Sequence, residues 1–387
     1  MRIAVNTYSL QPQPTGIGRY TSGLLRELLK RSDIDDICGL GAGGLIPRAQ
    51  LLSLLDSIEQ PVKPQQRSLR SRLAKLPGAH RAWQMVKNHQ ARRASRSLED
   101  YCYWEPSFVL MPFNGPSVAT IHDLSHLHHP EFHPAYRVKA LNKQLPHTYA
   151  QVTRLNAVSA FTREMLQQEG VSAPVDIVSP GVDNSFFSVT DEQRVNCRRQ
   201  LGLPDQYVLS VATLEPRKNL ERVIAAFTAL PESIRQQFPL VLAGARGWHS
   251  ETIEAAIHQL AAKGQAFRLG YVDQTYIPAL YANASLSIYV SHYEGFGMPI
   301  AESMAAGTAV LTADRTSMPE VAGGHALLAN PESIESIRRQ LGRLLSDADL
   351  RDSLASAGQT HADRFRWQLS AQHLVDSLTL AQQEYRP

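Results

Sequence analysis

The chain has 387 residues, 39 Lys and Arg against 36 Asp and Glu, 43% hydrophobic and 19% charged residues, and a formal net charge of +3. This describes a soluble globular protein with room for two domains of ordinary size, and a charge that by itself names no partner. Three well-separated cysteines (Cys38, Cys102, Cys197) without a CxxC pair speak against a zinc knuckle or a disulfide framework, while the polar N-terminal MRIAVNTYSL and the lack of a long apolar run speak against a signal peptide or a spanning helix.

Short β-branched runs alternate with longer helical patterns along the whole chain, the signature of parallel α/β sheets. The first strand, MRIAVNT, leads into QPQPTGIGRYTSGLLREL, where Gly16 and Gly18 precede an amphipathic helix and let the loop approach a ligand. It is no dinucleotide fingerprint. Thr21 stands where G-x-G-x-x-G needs a small last residue, and no acidic ribose anchor follows at the expected distance. A Walker A sequence is also absent.

After DDICGLG, the second strand, the stretch from Gln60 to Leu98 is basic. Lys63, Arg67, Arg70, Arg72, Lys75, Arg81, Lys87, Arg92, Arg93 and Arg96 occur there without one Asp or Glu, interleaved with leucines and Trp83. It reads either as a contact with an anionic membrane surface or acidic ligand, or as a solvated helical face over core leucines. No nucleic-acid motif accompanies it, and no nucleic-acid partner is expected.

SFVLMPF, SVATIHD, RLNAVSA and VDIVSPG complete the first set of strands. His122 stands at the end of SVATIHD beside Asp123, and LSHLHHPEFHP follows with His126, His128, His129 and His133. Pro130 and Pro134 break the helix that would align these as metal ligands, and no H-E-x-x-H pattern is present, so no metal site is expected. The junction falls near SPGVDNSFFSVTDEQ, after which DEQRVNCRRQLGL opens a new helix.

The second set of strands is YVLSVAT, PLVLAGA, AFRLGYV, ASLSIYV, TAVLTAD and HALLANP. After the first of these, Glu215, Arg217 and Lys218 stand on a strand-to-helix loop, with Asn219 as the expected helix cap. Two adjacent cations at a carboxyl strand end can neutralise a departing diphosphate; elsewhere such a pair is usually solvated. ASLSIYV runs into SHYEGFGMPIAESMAAG, which reads as strand, glycine loop and helix, with Pro299 at the first helical position. Glu294 then lies on the loop and Glu302 on the helix, with free backbone amides between them. Such amides attract phosphate, whereas carboxylates on either side accept hydrogen bonds from hydroxyls. A ligand carrying hydroxyls, diphosphate and hydroxyls again is a nucleotide sugar. The plainer alternative makes Glu302 a complement to the helix dipole and Glu294 a solvated loop residue.

The expected architecture is α/β, with two doubly wound parallel-sheet domains facing a cleft at their carboxyl strand ends: residues 1–185 and residues 186–367. EGFGMPIAE resembles the E-x7-E signature of the retaining glycosyltransferases of family 4, which have the two-domain, Rossmann-like GT-B fold. TGIGRYT, IHDLSHLHHPEFHP, NAVSAFTREML, VSPGVD, LEPRKN and SMPEVAG fall in that family's order, and FRWQLSAQHLV resembles its C-terminal segment, in which a last helix, here 368–387, crosses back to the first domain. The resemblance implies that Glu302 binds the ribose hydroxyls, Glu294 those of the donor sugar, and Arg217 and Lys218 the diphosphate. Backbone amides of Phe296, Gly297 and Met298 would contact sugar and phosphate, and the nucleobase would lie near Tyr271, Val272 and Asp273. His122 would sit near the transferred sugar, and Gly16 and Gly18 would line the cleft from the acceptor-binding first domain. The family typically needs no metal and no cofactor beyond the donor.

HDLSHLHHPEFHP with LEPRKN is further similar to bacterial enzymes that add mannose or 6-deoxy relatives to lipid-linked O-antigen or capsule precursors. This implies GDP-mannose as donor, with GDP-rhamnose and UDP-sugars as alternatives, and a lipid-linked glycan acceptor. It also implies a cytoplasmic protein touching the inner-membrane surface through residues 60–98. A GT-B nucleotide-sugar epimerase and a non-catalytic nucleotide-binding scaffold are the rival classes. The complete carboxylate, Arg-Lys and His-Asp set favours transfer. No base is expected opposite the leaving group, so retention of configuration is the expected outcome.

Overall fold

The computed structural model describes residues 1–12, 15–41, 44–59, 93, 95–247 and 251–386. Of the basic stretch from Gln60 to Leu98, residues 60–92 and 94 lie outside the described residues. The first sheet contains β1 (Arg2–Asn6), β2 (Asp36–Gly41), β3 (Gly44–Ile46), β4 (Cys102–Glu105), β5 (Ser117–Ile121), β6 (Arg154–Ala157) and β7 (Val175–Ile177). Its order is β3-β2-β1-β4-β5-β6-β7, parallel except for β3 against β2. The second contains β8 (Val208–Val211), β9 (Leu240–Ala243), β10 (Ala266–Gly270), β11 (Leu286–Tyr289), β12 (Val310–Ala313) and β13 (Leu327–Ala329) in the order β10-β9-β8-β11-β12-β13, parallel throughout. The winding direction reverses between β1 and β4 and again between β8 and β11. Crevices at such reversals, outside the carboxyl ends of the strands, are where open α/β sheets bind ligands.

Every second-half strand forms where its apolar run predicts. Strands β9, β11 and β12 are buried along their whole length, as parallel strands covered on both faces must be. The first half departs from expectation at SFVLMPF, which is not a strand. Phe108 and Met111 are buried there from an irregular loop, so the apolar signal came from burial rather than strand pairing. The pairing belongs to the preceding CYWE, whose last residue, Glu105, is fully buried and accepts from Asn6, Tyr103 and Ser107.

The helix Trp367–Glu384 packs against the helix Gly16–Lys30 and strands β4 to β6. Arg154 on β6 pairs with Asp176 and reaches Glu384, while Ser377 Oγ lies 2.8 Å from Asn156 Oδ1. Gly23 and Gly181 make room for the indole of Trp367: a Cβ at either would fall within 2.5 Å of the ring.

The two domains also meet directly. A Cβ at Gly295 would lie 1.7 Å from the His122 carbonyl oxygen, so only glycine permits this approach. Ser159 Oγ and Thr162 Oγ1 donate to the Gly295 carbonyl at 2.6 and 3.2 Å. At the start of the helix Ala160–Gln168, the N–H groups of Ala160 and Phe161 donate to the two carboxylate oxygens of Glu320, a residue of the SMPEVAG segment. A helix N-terminus on one domain thus holds a carboxylate of the other.

Candidate functional site

The loops after β8 and β11 converge at the second sheet's reversal. Pro216–Lys218 forms a 3-10 turn, and Glu294 lies five residues beyond the end of β11. Arg217 Nη1 donates to Glu294 Oε2 at 2.8 Å and to the Tyr293 carbonyl, while Nη2 reaches Glu215 at 3.2 Å. Lys218 Nζ donates to Glu294 Oε1 at 2.8 Å and to the Tyr289 hydroxyl at 2.7 Å; that hydroxyl in turn donates to Glu294 at 2.8 Å. All four charged side chains are 15% exposed or less.

The electrostatics follow from that burial. Desolvation pushes the Glu294 carboxyl up, but Arg217 and Lys218 outweigh it and hold the group down to about 2. Lys218 is shifted down by burial and by its neighbour Arg217, with Glu294 opposing. The guanidinium of Arg217 stays charged: burial disfavours it, but Glu294, Asp123 and Glu215 over-compensate. The result is a buried pair of cations converging on the ionised Glu294, a preorganised site for an anion.

The helix beyond the glycine loop runs Met298–Ala305, with Gly297 in the left-handed region (φ 101°) as its N-cap. Pro299 is therefore its second residue, one later than expected. Among the described residues, the N–H groups of Phe296, Gly297 and Met298 make no hydrogen bond, and the Phe296 and Glu294 carbonyls are both held by Ser317 Oγ. Glu302 lies one turn along this helix, buried, accepting from the Tyr281 hydroxyl at 3.2 Å and paired at 3.5 Å with Arg19 of the first domain. Burial raises its carboxyl above the usual range, with Arg19 and Tyr281 opposing.

From the first domain, His122 extends directly beyond β5. Its Nε2 is 2.7 Å from the Pro106 carbonyl, which can only accept, so Nε2 carries the proton. Burial lowers its pKa, and Tyr20 and Phe108 flank the ring. Asp123 accepts from Ser125 N–H and Oγ, and feels Arg217 across the interface.

Gly16 and Gly18 are not on a loop; both lie in the first turn of the helix Gly16–Lys30. The turn lacks a side-chain cap, and nothing stands within 4 Å of where a Cβ on Gly16 would be. Asn219 occupies the N-cap position but does not cap. Held in the left-handed region, it donates its amide to the Val290 and Pro331 carbonyls and so ties the cation turn to β11. Tyr271 is half exposed, Val272 is buried, and Asp273 accepts from Thr275 in a turn. No hydrogen bond or ring contact among the described residues joins these three to the cation cluster.

Sequence reasoning missed Tyr289, Arg19 and Glu320. Tyr289 looks like an ordinary strand aromatic; its signal was a hydroxyl at the last position of a buried strand, five residues before Glu294. Arg19 follows the Gly-Ile-Gly run directly, and its partner lies far away in sequence.

Residues 14–186 match the family profile "Glycosyltransferase Family 4", and residues 194–361 match "Glycosyl transferases group 1". The chain is 28% identical over 386 residues to the Escherichia coli O-antigen chain mannosyltransferase B, covering 98% of this chain and 100% of that protein. It is 30% identical over 277 residues to the E. coli serotype-specific mannosyltransferase WbdA, covering 68% of this chain but only 33% of that longer protein. Among solved structures, Anabaena HepE in complex with UDP-glucose superposes with a TM-score of 0.71 at 19% identity, covering 98% and 100% of the two chains. WaaG, a glycosyltransferase involved in lipopolysaccharide biosynthesis, does so with a TM-score of 0.69 at 18% identity, covering 97% and 99%. At those identities the likeness is one of fold: two Rossmann-like sheet domains, the GT-B architecture.

Proposed function

The chain belongs to the family 4 and group 1 glycosyltransferases, and from that premise we propose that it moves α-mannose from GDP-mannose to a lipid-linked glycan with retention of configuration. The observation that carries this reading is the convergence of Arg217 and Lys218 on Glu294 at the β8–β11 reversal, beside the open amides of residues 296–298. Arg217, Lys218 and the helix start receive the diphosphate and stabilise it as it leaves. On donor binding, Glu294 exchanges part of its cation contacts for hydroxyls of the sugar, and Glu302 takes the ribose hydroxyls. The turn at Tyr271, Val272 and Asp273 lies against the base. His122 contributes from the opposite domain, near the anomeric carbon.

The mannose assignment draws on the two E. coli mannosyltransferases, and the proposal of a lipid-linked glycan acceptor starts from the O-antigen chain in the name of the first. With fixed cations already in place, transfer needs no divalent metal. The protein works at the cytoplasmic face of the inner membrane, touching it through residues 60–98; among the described residues no helix is long and apolar enough to cross a membrane. The test is slow donor hydrolysis, followed as nucleotide release from a panel of GDP- and UDP-sugars in EDTA. Release from GDP-mannose is expected. Turnover of a UDP-sugar alone overturns the donor assignment, a strict requirement for Mg²⁺ or Mn²⁺ overturns the metal-free reading, and no turnover of any donor overturns the enzyme reading.

A further inference from the structure

The histidine-rich loop after β5 contains buried imidazole nitrogens that nothing in the donor site uses. Ser125 Oγ lies 2.6 Å from Asp123 Oδ1 and 2.8 Å from His133 Nε2. Asp123 is an ionised acceptor, so the single hydroxyl proton of Ser125 goes to it, and Ser125 can only accept from His133. His133 therefore holds its proton on Nε2. Burial, then Arg137, lowers its pKa, so the ring is neutral and Nδ1 carries a lone pair. That Nδ1 is buried without a partner. His126 is 2% exposed and both of its ring nitrogens are buried without partners; burial holds it neutral, at about 4. The two rings together offer one N–H and two lone pairs, and buried polar atoms of this kind are rarely left unsatisfied in a functioning molecule.

Their position gives the set a meaning. Phe132 stacks on His292 and His129 packs edge-on to Tyr293, so this first-domain loop abuts the loop that carries Glu294. His133 is close enough to Arg217 and Glu215 to feel their charges. We propose that His126 and His133 form a hydroxyl-binding subsite for the acceptor sugar, in which His133 Nδ1 receives a hydrogen bond from one acceptor hydroxyl and His126 engages a second. A sugar hydroxyl both donates and accepts, which matches neutral imidazoles. A divalent cation fits less well, since no three His, Cys, Asp or Glu among the described residues converge. The proposal rests on the glycosyl-transfer reading and deepens it. The Asp123–Ser125–His133 chain is its positioning device, fixing the tautomer.

Two substitutions separate the lone pair from the scaffold. His133→Gln keeps an N–H where Nε2 donates to Ser125 but removes the Nδ1 acceptor; His133→Asn keeps an acceptor near Nδ1 but loses the Ser125 contact. With GDP-mannose as donor and octyl α-D-mannopyranoside as probe acceptor, His133→Gln should raise the acceptor KM by on the order of 10-fold. Donor hydrolysis without acceptor should stay within about twofold of wild type, since the variant leaves the donor site intact. His133→Asn should retain more of the acceptor affinity. In parallel, imidazole ¹⁵N spectra of the wild-type protein should show the Nε2–H tautomer at His133 and a shift of its Nδ1 as the probe is titrated. An unchanged acceptor KM in His133→Gln, an equal fall in donor hydrolysis, or an Nδ1 signal blind to the probe overturns the proposal. Failure of the glycosyl-transfer reading registers separately, as wild-type protein that hydrolyses no donor.

Discussion

Lys218 and Arg217 are cations in a place where burial disfavours them; both are held by Glu294, and Arg217 also by Glu215 and the nearby Asp123. A solvated loop pair would have no such arrangement. In the proposed reaction their use is to meet negative charge that grows on the leaving diphosphate, and a fixed donor in a buried site has its largest effect at that moment. Lys218→Ala should lower turnover by on the order of 10²-fold or more, measured as product formed at saturating donor; full activity would remove the lysine from the mechanism. The two glutamates should separate cleanly. Glu294→Gln leaves the helix start and Glu302 intact, so nucleotide affinity by calorimetry stays near normal while most transfer is lost. Glu302→Ala instead weakens nucleotide binding itself, by about tenfold for the loss of a charge-assisted hydrogen bond. The reverse pattern would exchange their roles. The placement of Arg217, Lys218 and Glu294 at strand ends, where they meet, was legible because strand ends and Gly-Phe-Gly mark where backbone opens to a ligand. Tyr289 was not, because its hydroxyl matters only after the β8 loop has brought Lys218 against it.

Between elements, the decisive contact is the glycine loop against the strand end of the other domain. A Cβ at Gly295 would overlap the His122 carbonyl, and the Gly295 carbonyl is already held by Ser159 and Thr162. Gly295→Ala therefore wedges the domains apart at the point where donor and acceptor must meet. A misplacement of about 1 Å can cost on the order of 10²-fold in rate. A loss of that size is expected in transfer, with nucleotide affinity little changed; wild-type turnover would show that this contact is not part of the working closed form. The second-sheet strands were readable from apolar runs and their punctuation, whereas Asn219 does not cap and Pro299 falls one position later in its helix than expected. The β4 segment was not, because CYWE is only four residues long and ends in a glutamate, while the longer apolar run SFVLMPF just after it draws the strand assignment but buries side chains without pairing. Gly16 and Gly18 misled for a related reason: glycines flanking a helix can also be inside its uncapped first turn.

At the scale of the molecule, two reversals in strand order set two crevices opposite each other, and the last helix ties the far end of the chain to the first sheet through Trp367, Ser377 and Glu384. That architecture was legible from the alternation of strand and helix patterns, whereas the interlocking of Glu320 with the Ala160–Gln168 helix depends on the docked domains and has no local signature. The sequence from Gln60 to Leu98 is basic, and each Lys or Arg near an anionic membrane contributes about 1 kcal/mol, screened by salt. Vesicle flotation should show binding to anionic liposomes that falls at high salt; equal binding to neutral vesicles, or none, would return the segment to a solvated face. In the proposed reaction the two domains act on one anomeric carbon. Glu294 shares its domain and its loop with the proposed phosphate site, so in that reading it would face the sugar's hydroxyls and be badly placed to act as a base on the opposite side. The neutral His122 has its proton on Nε2, held by Pro106. In the proposed retaining reaction no base opposes the leaving group, so the acceptor would attack from the leaving-group side and its proton would pass to the departing phosphate. NMR of the product formed from GDP-mannose reads this directly: an α-linked mannose is the predicted result, and a β-linked mannose would contradict it.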